Sequence, residues 1–335
     1  MNLEQLSSFI EVANTGHFTK AAAALHLAQP SLSRQISTLE KELGAELFHR
    51  AHGHISLTAA GETLLPTARR MLADAEAVRR DMDELAGLRK GRIRLGATPT
   101  LCVSLVAEAI SRFHNEHPGV ELELMEKGSR QLIEALGTGE LDLALITRTL
   151  DLGSQMPRLR MQGVLSEDLV VIAAAEAGRD GAGGSTTGGG ASNTSDEADG
   201  TILPGGSITL AEVAALPQVL FHHGYDLRAA TSAAFESAGL APHIVVEGAE
   251  MDAVLRFVEL GLGVAIVPAM VLVDRPRLTS VPLVEPSLSR TISLAKRADV
   301  RATKAAAAME KTILATARVL TAEEAGLAPY VRLAR

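Results

Sequence analysis

Apolar residues recur at helical spacing in the N-terminal part of the chain and predict three helices. The first apolar stripe stops at Gly16, and its members are Leu3, Leu6, Phe9, Ile10 and Ala13. Thr19 is expected to cap a second, short helix. The turn at 26–28 then leads into a third helix, because Pro30 suits a first helical position and Gly44 suits the residue just past a C-terminus.

This third helix is predicted to have one apolar face and one free polar face. The apolar face would pack on a core, and its residues are Leu32, Ile36, Leu39 and Leu43. The free face carries hydroxyls and two basic groups, which would suit a DNA major groove; its residues are Ser33, Arg34, Ser37, Thr38 and Lys41. Gln29 and Ser31 begin the helix, where free backbone N–H groups can meet a phosphate. A solvent-exposed amphipathic helix would show the same pattern.

Two short apolar runs follow and predict a two-stranded wing. Leu47–Phe48 and Ile55–Leu57 are separated by a turn with Gly53 at its tip. Arg50 and His52 belong to this turn and are expected to contact DNA. The spacing of the three wing histidines, His49, His52 and His54, also allows a metal site. No acidic residue or cysteine accompanies them in the wing, so no metal site is predicted.

A long helix is predicted next, from the natural N-cap Thr58 to about Leu88. Its apolar residues alternate in steps of three and four, and they are Ala68, Met71, Ala75, Val78, Met82 and Leu85. Charged residues flank this seam, a pattern more typical of pairing with a second copy than of packing on its own domain. Around thirty residues would make a rod of about 45 Å. Pro66 is expected to bend it near its start.

Beyond Gly91 the pattern changes to alternating strands and helices, which predicts parallel sheets with helices on both faces. The predicted strands are 92–96, 120–125, 141–146, 218–221, 244–247 and 263–267. The predicted helices are 103–116, 131–136, 229–238 and 252–260.

Several sequence motifs, which follow one another along the chain, resemble the motifs of one protein family. FTKAAAALHLAQPSLSRQISTLEKELGAELFHR at Phe18–Arg50, followed by LTAAGE at Leu57–Glu62, resembles the winged helix-turn-helix of LysR-type transcriptional regulators. GSRQLIEALGTGELDLALI and VLRFVELGLGVAIVP resemble two landmark stretches of the effector domain of that family.

The resemblance implies three parts. These are an N-terminal all-α winged helix-turn-helix at 1–58, a long linker helix for dimerisation at 59–90, and an α/β effector domain of two lobes. The effector domain would resemble periplasmic binding proteins, with strands crossing between the lobes near Val164–Ile172 and Pro268. Lobe 1 would comprise 91–166 and 269–320, and lobe 2 would comprise 167–268.

One segment departs from the family pattern. Residues 178–206 contain ten of the 29 glycines and almost no apolar side chain, so they are expected to form a flexible insertion in lobe 2. A glycine-rich phosphate loop would be the functional alternative, but no Gly-Lys-Ser/Thr sequence follows. No cofactor is predicted.

A cleft for a small molecule is predicted at the carboxyl ends of the strands, where open α/β sheets bind ligands. The candidate effector-binding residues there are Thr98, Thr100, Ser129, Thr147, Phe221 and His222. Helix starts bearing threonine and serine favour a small anion, most simply a carboxylate. The alternative is that Thr98, Thr100 and Ser129 only cap helices. The resemblance favours the binding role for these three residues.

Charge and composition limit the remaining classes. The net charge is −8, and the first 57 residues hold four basic and five acidic side chains, so a basic DNA-binding signature is absent. Affinity for DNA is therefore expected to depend on a few contacts and on several DNA-binding domains, from different copies of the chain, binding together. The single cysteine, Cys102, excludes an intramolecular disulfide and is expected to be a buried, inert thiol. No membrane span or secretory signal is predicted, so a cytoplasmic location is expected.

The sequence therefore predicts a transcriptional regulator that binds an interrupted palindromic operator in double-stranded DNA. It would act as a homodimer or a dimer of dimers, under control of a small-molecule effector, with RNA polymerase as a further candidate partner. The alternative is a binding protein of the periplasmic type without a transcriptional role. An enzyme is disfavoured, because no Gly-x-Ser-x-Gly motif occurs and His222 and His223 have no evident acidic partner.

Overall fold

A computed structural model of the protein describes residues 1–51, 54–85, 91–147, 159–175, 206–273, 275–322 and 329–334. The N-terminal part contains three helices, α1 (Leu3–Thr15), α2 (Phe18–Ala24) and α3 (Gln29–Leu43). A capping box between Asn2 and Gln5 starts α1, and α1 ends at Gly16 with a positive φ of 64°. Gly44 follows the last residue of α3 as predicted, and Pro30 lies in the first turn as its second residue rather than its first.

Two details of these helices differ from the sequence prediction. Thr19 does not cap α2, because that helix already begins at Phe18, with His17 at the cap position and no side-chain capping bond. Leu43 is 42% exposed, so the buried stripe of α3 stops at Leu39. Leu43 is the last residue of α3, where the chain turns away from the core at Gly44.

The wing consists of strands β1 (Phe48–Ala51) and β2 (His54–Leu57), which pair antiparallel. Phe48 is buried at the base of the wing, and the centre of its ring lies 5.3 Å from that of Phe9. The wing is therefore anchored to the same core as the three helices.

Helix α4 (Ala59–Leu85) follows the wing and is capped by Thr58, as expected. The Thr58 hydroxyl accepts a bond of 3.1 Å from the Gly61 amide and donates one of 2.7 Å to the Glu46 carbonyl. Ala68 is buried against the helix-turn-helix core. Further along the seam Met71, Val78 and Met82 are exposed.

The C-terminal domain begins with parallel strands β3 (Arg92–Ala97), β4 (Glu121–Glu126) and β5 (Leu143–Thr147). Helix α5 (Pro99–Leu101) continues through a π-helical turn at Cys102–Val106 into α6 (Ala107–Glu116). Helix α7 (Ser129–Thr138) lies between β4 and β5 in sequence.

A second group of elements follows β6 (Leu159–Ala174). These are β7 (Ile208–Thr209), α8 (Leu210–Ala215), β8 (Pro217–Phe221), α9 (Asp226–Ser237), β9 (His243–Ala249), α10 (Met251–Glu259) and β10 (Ala265–Pro268). The chain ends with a 3₁₀ turn (Ala269–Leu272), β11 (Leu278–Val284), β12 (Ser289–Arg297), α11 (Lys304–Leu320) and β13 (Val331–Leu333).

Strand β6 joins the two lobes. Its first part pairs antiparallel with β12, which in turn pairs with β5 of lobe 1. Its last part pairs antiparallel with β10 of lobe 2 and with β11, which pairs in turn with β7. The predicted crossing at Val164–Ile172 lies within β6, so the two-lobed architecture is confirmed. The predicted parallel pairing is present between β3 and β4, between β3 and β5, and between β8 and β9, whereas the crossing strands run antiparallel to their neighbours.

Of the glycine-rich segment 178–206, only Gly206 is among the described residues, so the predicted insertion lies almost entirely outside them. In the described part of the chain, no helix is both long and apolar enough to cross a membrane.

Candidate functional site

The free face of α3 presents the predicted polar side chains. Gln29, Ser31, Arg34 and Thr38 are exposed, and Ser33 and Ser37 are half-buried. Two of these groups are held by local bonds, since the Gln29 amide donates to the Ser33 hydroxyl over 3.1 Å and the Thr38 hydroxyl donates to the Arg34 carbonyl over 2.8 Å. Arg34 itself forms no ion pair with any residue that the structure describes. Its guanidinium is therefore available for an external partner.

Two predicted DNA contacts lie on the wing. The backbone of Arg50 belongs to β1 and pairs with Ile55. The side chain of Arg50 and the whole of His52 lie outside the described residues.

The four predicted hydroxyl residues of lobe 1 are all buried at strand ends. Thr98 and Thr100 follow β3, Ser129 follows β4, and Thr147 ends β5. The structure brings Ser129 and Thr147 into direct contact, because the Thr147 amide donates to the Ser129 hydroxyl over 3.0 Å. Thr98 and Thr100 follow the strand that pairs with β5, so they belong to the same edge of the sheet.

Two of these hydroxyls are unusual because they are buried without a partner. Thr98 is 3% exposed and Thr147 is 6% exposed, and neither Oγ1 has a hydrogen-bond partner among the described residues. Thr98 occupies the cap position of α5 but makes no capping bond. Buried polar groups normally have partners, so these two hydroxyls are candidates for bonding an external ligand.

Ser129 is not the cap of α7 either. Gly128 occupies the cap position, and Ser129 is the first helical residue. The Ser129 hydroxyl instead donates to Asp226 Oδ2 over 2.5 Å, and the Ser129 amide donates to the same oxygen over 3.1 Å. Asp226 is the first residue of α9 in lobe 2. This aspartate joins the two lobes, and no pattern in the sequence identified it.

Nothing in the sequence indicated the buried ion pair between Arg290 and Glu167 either. Arg290 Nη1 donates to the Thr100 hydroxyl over 2.7 Å, and its Nε donates to Glu167 Oε1 over 2.8 Å. The Glu167 side chain is fully buried, and it also accepts from the Met270 amide over 3.2 Å. Arg290 and Glu167 are paired residues of the crossing strands β12 and β6. Their pairing fixes Thr100 relative to both strands.

The predicted residues of lobe 2 differ in exposure. Phe221 is buried and stacks on Tyr225, with 5.5 Å between ring centres. His222 is exposed, and its Nδ1 accepts from the Gly224 amide over 3.0 Å. Tyr225 donates to Glu250, and its own burial, followed by this carboxylate, raises the pKa of the tyrosine well above its usual range.

Cys102 lies next to the lobe 1 hydroxyls, in the π-helical turn after α5. It is half-buried rather than fully buried. Burial, and then the nearby Glu126 carboxylate, raise the pKa of this thiol to about 12. The thiol is therefore neutral at physiological pH, as expected of an inert cysteine.

The far end of α7 contacts the linker helix α4. Gly139, which ends α7 with a φ of 76°, lies against Ala73 of α4. Beside this contact, Arg297 Nη1 lies 2.7 Å from Asp74 Oδ1. Arg69 of α4 contacts both Glu140 of lobe 1, over 3.2 Å, and Asn14 of α1, over 2.7 Å. Helix α7 thus runs from the predicted cleft to the linker helix.

A winged helix-turn-helix ahead of a two-lobed α/β domain is the architecture of a DNA-binding protein with a ligand domain. Comparison with known proteins supports this class. Residues 3–62 match the model for the bacterial regulatory helix-turn-helix protein, lysR family, and residues 86–318 match the LysR substrate binding domain. The chain therefore belongs to the LysR family of transcriptional regulators, as the sequence motifs predicted.

Individual relatives agree with this membership. The chain is 32% identical over 297 residues to the uncharacterised HTH-type transcriptional regulator YybE of Bacillus subtilis, covering 88% of this chain and 92% of that protein. It is 31% identical over 272 residues to the HTH-type transcriptional regulator CysB of Haemophilus influenzae, covering 81% and 76% of the two chains. Full-length OxyR C199D from Pseudomonas aeruginosa is 25% identical and superimposes with a TM-score of 0.64, covering 94% and 98%.

Proposed function

We propose that this transcriptional regulator binds an interrupted palindromic operator as a homodimer or a dimer of dimers, and that a small anion in the cleft changes its DNA contacts. The observation that carries the effector part is the pair of buried, unpartnered hydroxyls on Thr98 and Thr147. A carboxylate is the simplest ligand for these hydroxyls, because it accepts several hydrogen bonds at once.

The proposed effector site extends over both lobes. Thr98, Thr100, Ser129 and Thr147 would hold the anionic group, and His222 of lobe 2 would face the rest of the ligand. The buried ring of Phe221 would support this wall from behind through its stack on Tyr225.

The proposed DNA contacts lie on α3 and the wing. Arg34 would read a base edge or a phosphate, since its exposed guanidinium has no internal ion pair among the described residues. Phosphate and further base contacts are proposed for Gln29, Ser31, Ser33, Ser37, Thr38, Arg50 and His52. RNA polymerase is proposed as a further partner of the DNA-bound regulator.

Self-association would compensate for the lack of net positive charge on each DNA-binding domain. Met71, Val78 and Met82 form an exposed apolar face on α4, and pairing two such faces would bury it. Two linked heads bind far more tightly than one head with four basic and five acidic side chains.

The experiment is a mobility-shift titration of the purified full-length protein with the DNA upstream of its own gene. A library of small carboxylates and small amines is then screened for ligands that both raise the melting temperature and change the shift pattern. A ligand near a hundredfold above its dissociation constant should stabilise the protein by about 2.7 kcal/mol. Failure to bind any upstream fragment would refute the operator proposal, and selective stabilisation by amines alone would refute the anionic effector.

A further inference from the structure

One anion already occupies the predicted anion position, and it belongs to the chain itself. Asp226 Oδ2 accepts bonds from the Ser129 amide and the Ser129 hydroxyl at the start of α7. A backbone N–H and a hydroxyl at a helix start are the donors that an incoming carboxylate would use. The Ser129 hydroxyl accepts in turn from the Thr147 amide, so its proton is directed toward Asp226.

We propose that Asp226 is an intramolecular competitor of the effector, a carboxylate that closes the cleft at rest and must be displaced when an anionic ligand binds. This inference rests on the proposed function, because it concerns the regulation of the same site. Asp226 comes from lobe 2 and Ser129 from lobe 1, so displacement breaks a direct bond between the lobes. Ligand binding and lobe separation are thereby coupled.

The surroundings of Asp226 show that the lobes meet closely at this point. A Cβ atom placed on Gly128, the cap residue of α7, would lie 3.3 Å from the Gly224 carbonyl of lobe 2. The next residue in lobe 2, Tyr225, is held by its bond to Glu250 and its stack on Phe221. The start of α9 is therefore held in place, and Asp226 is presented to Ser129 by a rigid support.

The C-terminal end of α7 connects the Ser129–Asp226 contact to the linker helix, which leads to the DNA-binding domain. Helix α7 has ten residues, and Gly139, which caps its C-terminus, lies against Ala73 of the linker helix. A helix moves as a rigid body over such a length, so releasing Ser129 from Asp226 also changes the constraint on Gly139. Asp226 thus sets both the affinity threshold for the effector and the resting position of α7.

The test measures binding of inorganic sulfate, used as a probe anion, to the full-length protein by thermal shift at constant ionic strength. Asp226→Asn removes the charge and keeps the size of the side chain, and Asp226→Ser is a second variant in case the first is poorly folded. Asp252→Asn is the matched control, because Asp252 is also in the first turn of a lobe 2 helix but pairs with Arg275 outside the cleft. Sulfate stabilises most proteins by exclusion, and this common effect appears equally in the control.

If the resting cleft is closed in about nine molecules of ten, the Asp226 variants should bind sulfate about tenfold more tightly than the parent. Adding Ser129→Ala to either variant should abolish this gain. The proposal is overturned if folded Asp226→Asn and Asp226→Ser proteins respond to sulfate as the parent and Asp252→Asn do, or if the gain survives Ser129→Ala.

These results are separable from the fate of the proposed function. A sulfate gain in a protein that binds no upstream DNA would support the competitor and refute the regulator's proposed operator. A normal DNA response to a carboxylate, with no sulfate gain in the Asp226 variants, would overturn the competitor alone.

Discussion

Gly139 approaches Ala73 so closely that a Cβ atom added to the glycine would lie 2.4 Å from the Cβ of the alanine. The φ of Gly139 is also positive, at 76°. Any other residue at this position must therefore both strain its backbone and push the linker helix away from lobe 1. The contact joins the effector domain to the helix that leads to the DNA-binding head.

Gly139→Ala should destabilise this junction. The left-handed backbone alone costs about 1–2 kcal/mol for alanine, and the clash with Ala73 adds to it. Gly239→Ala is the matched control, because Gly239 has a φ of 67° and a Cβ atom added to it would have no neighbour within 4 Å. Urea unfolding should show a larger loss for Gly139→Ala, and hydrogen exchange should rise around Ala73 in that variant only. Equal losses at the two glycines would show that the linker contact contributes nothing.

Thr98→Val should weaken the effector response without lowering stability. Valine keeps the shape of threonine, and the buried Thr98 hydroxyl has no partner among the described residues, so its removal costs no internal bond. Thr100→Val is different, because it removes the acceptor of Arg290 Nη1, and we expect a loss of about 1.5–3 kcal/mol in the free energy of unfolding. Denaturant unfolding and reporter dose–response curves check both effects. A Thr98→Val protein that responds like the parent would remove Thr98 from the effector site.

Arg34→Ala should reduce specific operator binding by about 1–3 kcal/mol, the value of one good base contact. The fold should survive, since Arg34 is exposed and lies outside the buried stripe of α3. Arg112→Ala removes the same charge from an exposed position on α6 and is the control. Mobility-shift titrations at one fixed salt concentration give the comparison. Equal affinities for both variants would contradict the proposed role of Arg34.

Val78→Asp should disrupt self-association, because it puts a charge in the middle of the exposed apolar face of α4. Val78 is 58% exposed in the single chain, so the substitution should not unfold it. Val319→Asp is the same change at a valine that is 48% exposed on α11. Analytical ultracentrifugation should show dissociation of the Val78→Asp protein only. An intact oligomer with full operator affinity would contradict the proposal that the exposed apolar face of α4 is the interface between two copies.

Elements whose bounds depend on local pattern were predictable from the sequence. The bounds of α3 follow from Pro30 and Gly44, and the crossing at Val164–Ile172, implied by the family resemblance, lies within β6. Strand β12 was not predicted, because it starts with Ser289, Arg290 and Thr291, which look like surface residues in sequence.

Contacts between residues that are far apart in the sequence could not be predicted from the spacing of residues along the chain. Asp226 and Ser129 are 97 positions apart, and Arg290 and Glu167 are 123 positions apart. In the sequence, each of these acidic residues resembles an ordinary solvent-exposed side chain, because its partner comes close to it only in the folded chain. The position of the four hydroxyl residues could be predicted because each lies at or just after the end of a strand. Their bonding could not be predicted, since Asp226 and Arg290 determine which hydroxyls remain without a partner.

Cys102 should react very slowly with alkylating reagents in the folded protein. Its pKa is raised from the usual 9.0 to about 12, first by burial and then by Glu126, so at pH 8 only about one thiol in ten thousand is ionised. Iodoacetamide labelling should therefore be roughly a thousandfold slower in native buffer than in urea, if the thiolate fraction sets the rate. Because folding raises this pKa, the neutral thiol's contribution to stability is complete below about pH 9. It is lost as the pH rises toward 12.

Glu126→Gln removes one cause of the raised pKa of Cys102 and should accelerate native labelling, whereas Cys102→Ser should abolish it. Rapid native labelling at pH 8, unchanged by Glu126→Gln, would contradict a raised pKa at this site.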